Sequence, residues 1–258
     1  MSVKQLLDLS GRVAIVTGGS RGLGLQMAEA LGEMGAKVAL TSRKQGELDQ
    51  AVAHLAKLGI EAHGWACDVG TPAQIPPVVD AVLAKYGKID ILVNNAGAAW
   101  GAPAEDHPLD GWNKLLAVNM TGAFVMSQEV AKKAMIPAKY GRIVTTASIA
   151  GLLAADPRMA TTVAYQASKH GVIGLMKQLA AEWGQYGITS NAICPGPFPS
   201  KMASGMIDAA GDFILAATPN RRLGNEEDLK GLAVLLASDA SRHINGQAIA
   251  VDGGMSVI

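Results

Sequence analysis

The chain has little of what marks many specialised proteins. Its two cysteines, Cys67 and Cys194, lie far apart and outside any metal-ligand spacing. No disulfide framework is therefore expected, and both read as reduced thiols packed as small hydrophobes. The five histidines form no H-x-x-x-H or His/Cys cluster, so no metal is predicted. Charge of one sign is missing too: 22 basic residues balance 22 acidic ones, with no long run of either. That excludes the electrostatic footprint of a nucleic-acid or anionic-membrane binder. No apolar run reaches the ~20 residues of a membrane span. The opening Met1–Leu9 is too polar for a signal peptide, so a cytoplasmic location is expected. No Pro/Ser-rich linker interrupts residues 1–258, which read as one domain.

With 49% apolar and 17% charged residues, the 258-residue chain is globular and long enough for a substantial core. Short apolar runs alternate with longer amphipathic segments. Strands are predicted at Arg12–Val16, Lys37–Thr41, Ile89–Val93, Gly141–Thr145, Thr189–Ile193 and Gln247–Val251, with a more polar one at Glu61–Cys67. Helices are predicted at Leu23–Met34, Gly46–Leu58, Ala73–Tyr86, Asp110–Ala134, Ala164–Tyr186 and Asn225–Ala237. This alternation implies βαβ crossovers and an α/β fold, a doubly wound parallel sheet with helices on both faces. Residues 195–222 break the rhythm, and a connection of this length suits a substrate lid.

The first strand runs into Thr17-Gly18-Gly19-Ser20-Arg21-Gly22-Leu23-Gly24 and then a helix. Glycines there permit a tight turn and let backbone N–H groups approach a pyrophosphate at the helix N-terminus. A plain strand-to-helix connection is the other reading. Gly18, Ser20, Arg21, Gly22, Leu23 and Gly24 are the candidate binding residues of this turn. About twenty residues on, where an NAD site carries an acidic residue for the adenosine ribose, the chain has Thr41-Ser42-Arg43-Lys44. Ser42 and Arg43, with Arg21 as a second cation, suit a 2′-phosphate, which favours NADP(H). The alternative is that both arginines are solvated surface groups.

Tyr165 and Lys169 stand four residues apart on a predicted helix and so share one face. A nearby cation favours a phenolate and brings a phenol toward acid–base range. Together with Cys67-Asp68-Val69, Asn94-Asn95-Ala96-Gly97, Asn119, Ser148 and Pro195-Gly196, in that order, these motifs resemble the short-chain dehydrogenase/reductase family along essentially the whole chain. The resemblance is to the compact, single-domain Rossmann-type members, near 3-oxoacyl reductases and gluconate 5-dehydrogenase-like enzymes.

That resemblance implies a hydride transfer between NADP(H) and a small carbonyl or secondary alcohol substrate. Tyr165 would be the general acid–base, Lys169 would lower its pKa and hold the nicotinamide ribose, and Ser148 would orient the substrate oxygen. Asn119 would anchor a relay water, a role compatible with satisfying backbone groups at a helix irregularity. Asp68 and Val69 would flank the adenine, although Asp68 also reads as a helix N-cap before Thr71-Pro72. Asn94 and Gly97 would brace the sheet and contact adenosine, Asn95 would be structural, and Pro195-Gly196 would start the nicotinamide-side loop. Two departures stand out. The sixteen residues between Ser148 and Tyr165 make a lengthened loop, expected to bulge beside the substrate opening. After Gly196, the nearest hydroxyl is Ser200 rather than the family's threonine.

Other candidates remain open. His170 reads as a surface or interface group. Met202, Met206, Ile207, Phe213 and Ile214 fit either ordinary packing or an adaptable apolar lid. Arg158 is an exposed arginine or a partner for a substrate carboxylate. The resemblance further implies a homotetramer, with the apolar C-terminus at an interface. The competing reading is a non-catalytic NADP(H)-binding regulatory or scaffold protein on the same fold.

Overall fold

The computed structural model describes residues 1–158, 160–201 and 203–258. Among them the apolar runs form β1 (Val13–Thr17), β2 (Lys37–Ser42), β3 (Ala62–Ala66), β4 (Ile91–Asn94), β5 (Gly141–Thr146), β6 (Ile188–Pro195) and β7 (Ala248–Val251). All pair in parallel, in the order β3-β2-β1-β4-β5-β6-β7. Every strand therefore ends on the same edge of the sheet. The order reverses between β1 and β4, which opens a crevice beyond their C-terminal ends.

The helices are α1 (Val3–Leu7), α2 (Gly22–Glu33), α3 (Gln45–Lys57), α4 (Ile75–Tyr86), α5 (Leu109–Leu116), α6 (Gly122–Val130), α7 (Ile136–Ala138), α8 (Val163–Trp183), α9 (Ser204–Ala217) and α10 (Lys230–Ala237). They cover both faces, and the pleat of β1 shows how. Ala14 and Val16 pack with Met27, Leu31, Leu48 and Leu236 of α2, α3 and α10. Val13 and Ile15 pack with Val79, Val82, Met126 and Val130 of α4 and α6 on the other face. A strand buried on both faces cannot alternate apolar with polar residues, which is why β1, β4, β5 and β6 are continuous buried runs.

Two segments differ from expectation. The helix expected at Asp110–Ala134 is a continuous rod in which α5, α6 and α7 are joined by π-helical turns, Ala117–Thr121 and Ala131–Met135. The helix expected from Asn225 begins at Lys230. Asn225 Oδ1 accepts from the backbone N–H groups of Glu227 (2.9 Å) and Asp228 (3.2 Å), while the Asp228 carboxylate accepts from Asn225 N at 2.8 Å. These side chains offer the backbone a turn in place of a helix.

At the opposite edge, a charge cluster ties strand starts together. The buried Arg142 guanidinium donates to the carbonyls of Ser238, Gly141 and Gly187 and to Asp239 Oδ1 at 2.9 Å. The Tyr140 ring lies between Arg12, 3.9 Å from its centroid, and Arg142 at 4.4 Å, and its hydroxyl donates to Asp239 at 3.0 Å. Burial, against the pull of both arginines, pushes the Tyr140 phenol up to about 12.

Candidate active site

The glycine turn is held from behind. Asn95 Nδ2 donates to the carbonyls of Thr17 (3.0 Å) and Gly18 (3.3 Å), and Thr17 Oγ1 accepts from the backbone of Asn95 and Ala96, both at 2.9 Å. A side chain at Gly18, whose φ is +63°, would sit 2.9 Å from Ala96 Cα, so the two turns are in direct contact. One at Gly24 would strike the Asn95 amide and the Gly18 carbonyl. Gly22 differs, with φ +54° and open space where its Cβ would be. Arg21 caps α2 without a side-chain hydrogen bond to the first turn, which leaves those N–H groups free of a cap. A helix N-terminus of this kind, in a turn with glycine at 18, 19, 22 and 24, fits a pyrophosphate. Ser20 lies half-buried in the turn and Leu23 packs against the core.

Beyond β2, Ser42 is half-buried, Arg43 is exposed, and Arg43 makes no ion pair among the described residues. Arg21 and Lys44 both pair with Glu47, a residue without a role in the sequence reading. Beyond β3, Asp68 is not an N-cap. Its Oδ1 accepts from Gly70 N at 3.0 Å, an Asx turn, and Thr71 occupies the cap position of the turn Pro72–Gln74. Val69 is buried against Gly122.

Beyond β4, the Asn94 side chain is turned into the fold. Its Nδ2 donates to Ser127 Oγ at 2.8 Å and the residue is buried, while its Oδ1 has no hydrogen-bond partner among the described residues. Gly97 is different: a Cβ built there would lie 3.5 Å from Asn119 Oδ1 and 3.9 Å from Lys169 Nζ. Asn119 sits in the first π turn. It donates to Ala98 O (2.9 Å) and Ser168 Oγ (3.0 Å) and accepts from Ala98 N (2.8 Å). Both amide hydrogens are spent, so a relay water would meet Asn119 at an acceptor, a lone pair of Oδ1 or the backbone carbonyl. Satisfaction of backbone groups at a helix irregularity is what the geometry shows.

Beyond β5 comes Ser148, which caps the turn Ile149–Gly151 by accepting from Ala150 N at 3.1 Å. On α8, Tyr165 and Lys169 face it. Lys169 is buried, donates from Nζ to Thr146 O at 2.8 Å, and lies 5.6 Å from the Tyr165 ring centroid. Burial brings the Lys169 ammonium down to about 8. Burial raises the Tyr165 phenol above its ordinary value, and the Ser148 hydroxyl only partly offsets this. In the chain by itself burial sets the direction of both groups, the phenol up and the ammonium down. Cys194, free and buried at the end of β6, is raised by burial to about 11 while Lys169 pulls it down. No spacing in the sequence sets Cys194 beside the lysine.

Beyond β6, Gly196 packs so closely on Asp252 that a Cβ would lie 2.8 Å from Asp252 Cα, and its N–H donates to Val251 O at 3.0 Å. Ser200 accepts from Ala203 N at 3.1 Å. The stretch 195–222 holds α9, which carries Phe213 and the buried Ile214. Met202 and the side chain of Met206 lie outside the described residues. Arg158 of the lengthened loop is taken up by Asp156, and its guanidinium lies over the Phe213 ring, 4.7 Å from the centroid. His170 is exposed and its ring contacts Gln166 O.

A dinucleotide cradle at the switch point, with a phenol, a hydroxyl and an ammonium gathered beyond β5, defines an oxidoreductase of the Rossmann class. A family model described as enoyl-(acyl carrier protein) reductase matches residues 18–256. D-threitol dehydrogenase of Mycolicibacterium smegmatis is 41% identical over 261 residues, covering 100% of this chain and 97% of the relative. Gluconate 5-dehydrogenase of Gluconobacter oxydans is 38% identical over 259 residues, covering 100% and 99%. A crystal structure of a gluconate 5-dehydrogenase from Burkholderia cenocepacia in complex with NADP and tartrate superposes with a TM-score of 0.94 at 35% identity, covering 100% of both chains. The chain belongs to the short-chain dehydrogenase/reductase family, and it is an enzyme of the alcohol–ketone couple.

Proposed function

We propose that the protein is an NADP(H)-dependent dehydrogenase/reductase of a small polyol or its ketone, with Tyr165 as the general acid–base. The observation that carries this reading is the convergence of Tyr165, Ser148 and Lys169 at the end of β5, with Lys169 Nζ fixed on Thr146 O at 2.8 Å. The glycine turn, Gly97 and Pro195-Gly196 would hold the dinucleotide, Asp68 and Val69 its adenine, and Ser42, Arg43 and Arg21 its 2′-phosphate. When bound, the nicotinamide gives or takes the hydride. Tyr165 gives a proton to the carbonyl oxygen in reduction and removes it from the alcohol in oxidation. Ser148 donates to that oxygen as its charge develops. Lys169 supplies the positive charge that favours phenolate, and Asn119 positions Ala98 and Ser168 around it.

NADP(H) is supported by the lack of a carboxylate within Thr41–Lys44 and by the NADP-bound relative. A neutral polyol is supported by the D-threitol relative, while the gluconate relative points to an aldonate. Arg158, the cation of the Ser148–Tyr165 loop, is held by Asp156, which favours a neutral polyol over a sugar acid. Exposed Leu109 and Phe124 on α5 and α6, with exposed Val257 and Ile258, support a homotetramer. Absorbance at 340 nm over a panel of polyols, aldonates and ketones tests the reading. Tyr165→Phe should lose at least about 100-fold in kcat and keep its NADPH affinity. Full activity in that variant would sink the mechanism.

A further inference from the structure

Resting on the NADP(H) reading above, we propose that Glu47 sets the preference between the phosphorylated and unphosphorylated dinucleotide by occupying the cations that would grip the 2′-phosphate. Glu47 stands in the first turn of α3, directly after the Ser42–Lys44 turn. Its Oε1 lies 3.4 Å from Arg21 Nη1 and 3.5 Å from Lys44 Nζ. Arg21 caps the helix that follows the glycine turn, and Lys44 caps the helix that follows β2. One carboxylate therefore bridges the two arms between which the adenosine ribose would lie. Arg43, between them in function, is the cation without an ion pair among the described residues.

A phosphate dianion that recruits Arg21 must draw it away from Glu47 or sit beside a like charge. A ribose hydroxyl meets no such competition. Glu47 thus taxes NADP(H) selectively and leaves NAD(H) admissible. The α3 N-terminus favours the carboxylate where it is, so Glu47 does not simply leave. Arg21, Lys44 and Glu47 are all partly exposed, so each displaced pair is a weak surface one.

The test is fluorescence titration of NADPH and NADH into the wild type, Glu47→Gln and Arg43→Ala. Glu47→Gln should tighten NADPH about three- to ten-fold, the worth of one or two exposed ion pairs. NADH should stay within about two-fold, and the NADPH gain should shrink in 1 M salt as charges are screened. Unchanged or weaker NADPH binding, or the same change for both cofactors, overturns the assignment to Glu47. Arg43→Ala separates the two levels. If it weakens NADPH and NADH equally, the 2′-phosphate reading itself fails. If it is selective for NADPH while Glu47→Gln is inert, only the role of Glu47 falls.

Discussion

Lys169→Met should make the protein more stable at neutral pH and inactive. Burial lowers the Lys169 pKa from an ordinary 10.5 to about 8. That difference corresponds to about 3 kcal/mol by which the fold disfavours the charged lysine. Between pH 8 and 10.5 the unfolded chain binds the proton that the folded one has released. Wild-type stability therefore rises with pH through this window, and the cost is fully present below it. Methionine is of similar length and carries no charge, so the variant lacks this dependence. It also loses the hydrogen bond from Nζ to Thr146 O, and the stranded carbonyl costs about 1–2 kcal/mol at every pH. The net expectation is a variant more stable than wild type by about 1–2 kcal/mol at pH 7 and less stable by a similar amount at pH 10.5. Urea denaturation at both pH values, at one protein concentration, gives the comparison. Taking the change in the wild-type-minus-variant difference between the two pH values cancels the pH-independent hydrogen-bond cost. A change below about 1 kcal/mol, or one of opposite sign, refutes a lysine held in the lowered state.

Two further outcomes test other parts of the molecule. Asp239→Ala leaves the Arg142 charge buried beside Tyr140 with only carbonyl partners. Because Asp239 is itself partly exposed, the loss should be about 2–3 kcal/mol in urea denaturation at pH 7, with kcat of the folded fraction unchanged. Asp156→Asn should release Arg158 for a carboxylate. Steady-state kinetics should then show kcat/KM for an aldonate rising relative to that for a neutral polyol, and an unaltered ratio would remove Arg158 from the substrate's reach.

The strands were legible because burial on both faces leaves short runs rich in apolar and β-branched residues, and β1, β2 and β5 fall within a residue or two of their expected bounds. The glycine turn and the Tyr165/Lys169 pair were legible because local spacing fixes both. What escaped was decided at long range. The helix irregularity at Asn119 was expected through the family resemblance, but its partners Ala98 and Ser168 leave no mark on helical periodicity. Asn94 turns inward because Ser127 waits on α6. Glu47 looked like any acidic residue at a helix start until the fold set Arg21, 26 positions earlier, against it. The lysine's lowered pKa comes from burial, which depends on the packing around α8.

The close packing of Gly196 on Asp252 carries a consequence for biosynthesis. The turn after β6 has its backbone partner in Val251, on an edge strand near the end of the chain. The glycine turn, its backing at Asn95 and Ala96, and Ser148 beyond β5 all lie upstream of that strand in the chain. The supporting surface of the Pro195-Gly196 turn is encoded downstream of every other part of the site, so during synthesis the residues of the dinucleotide cradle precede those that finish the reaction centre.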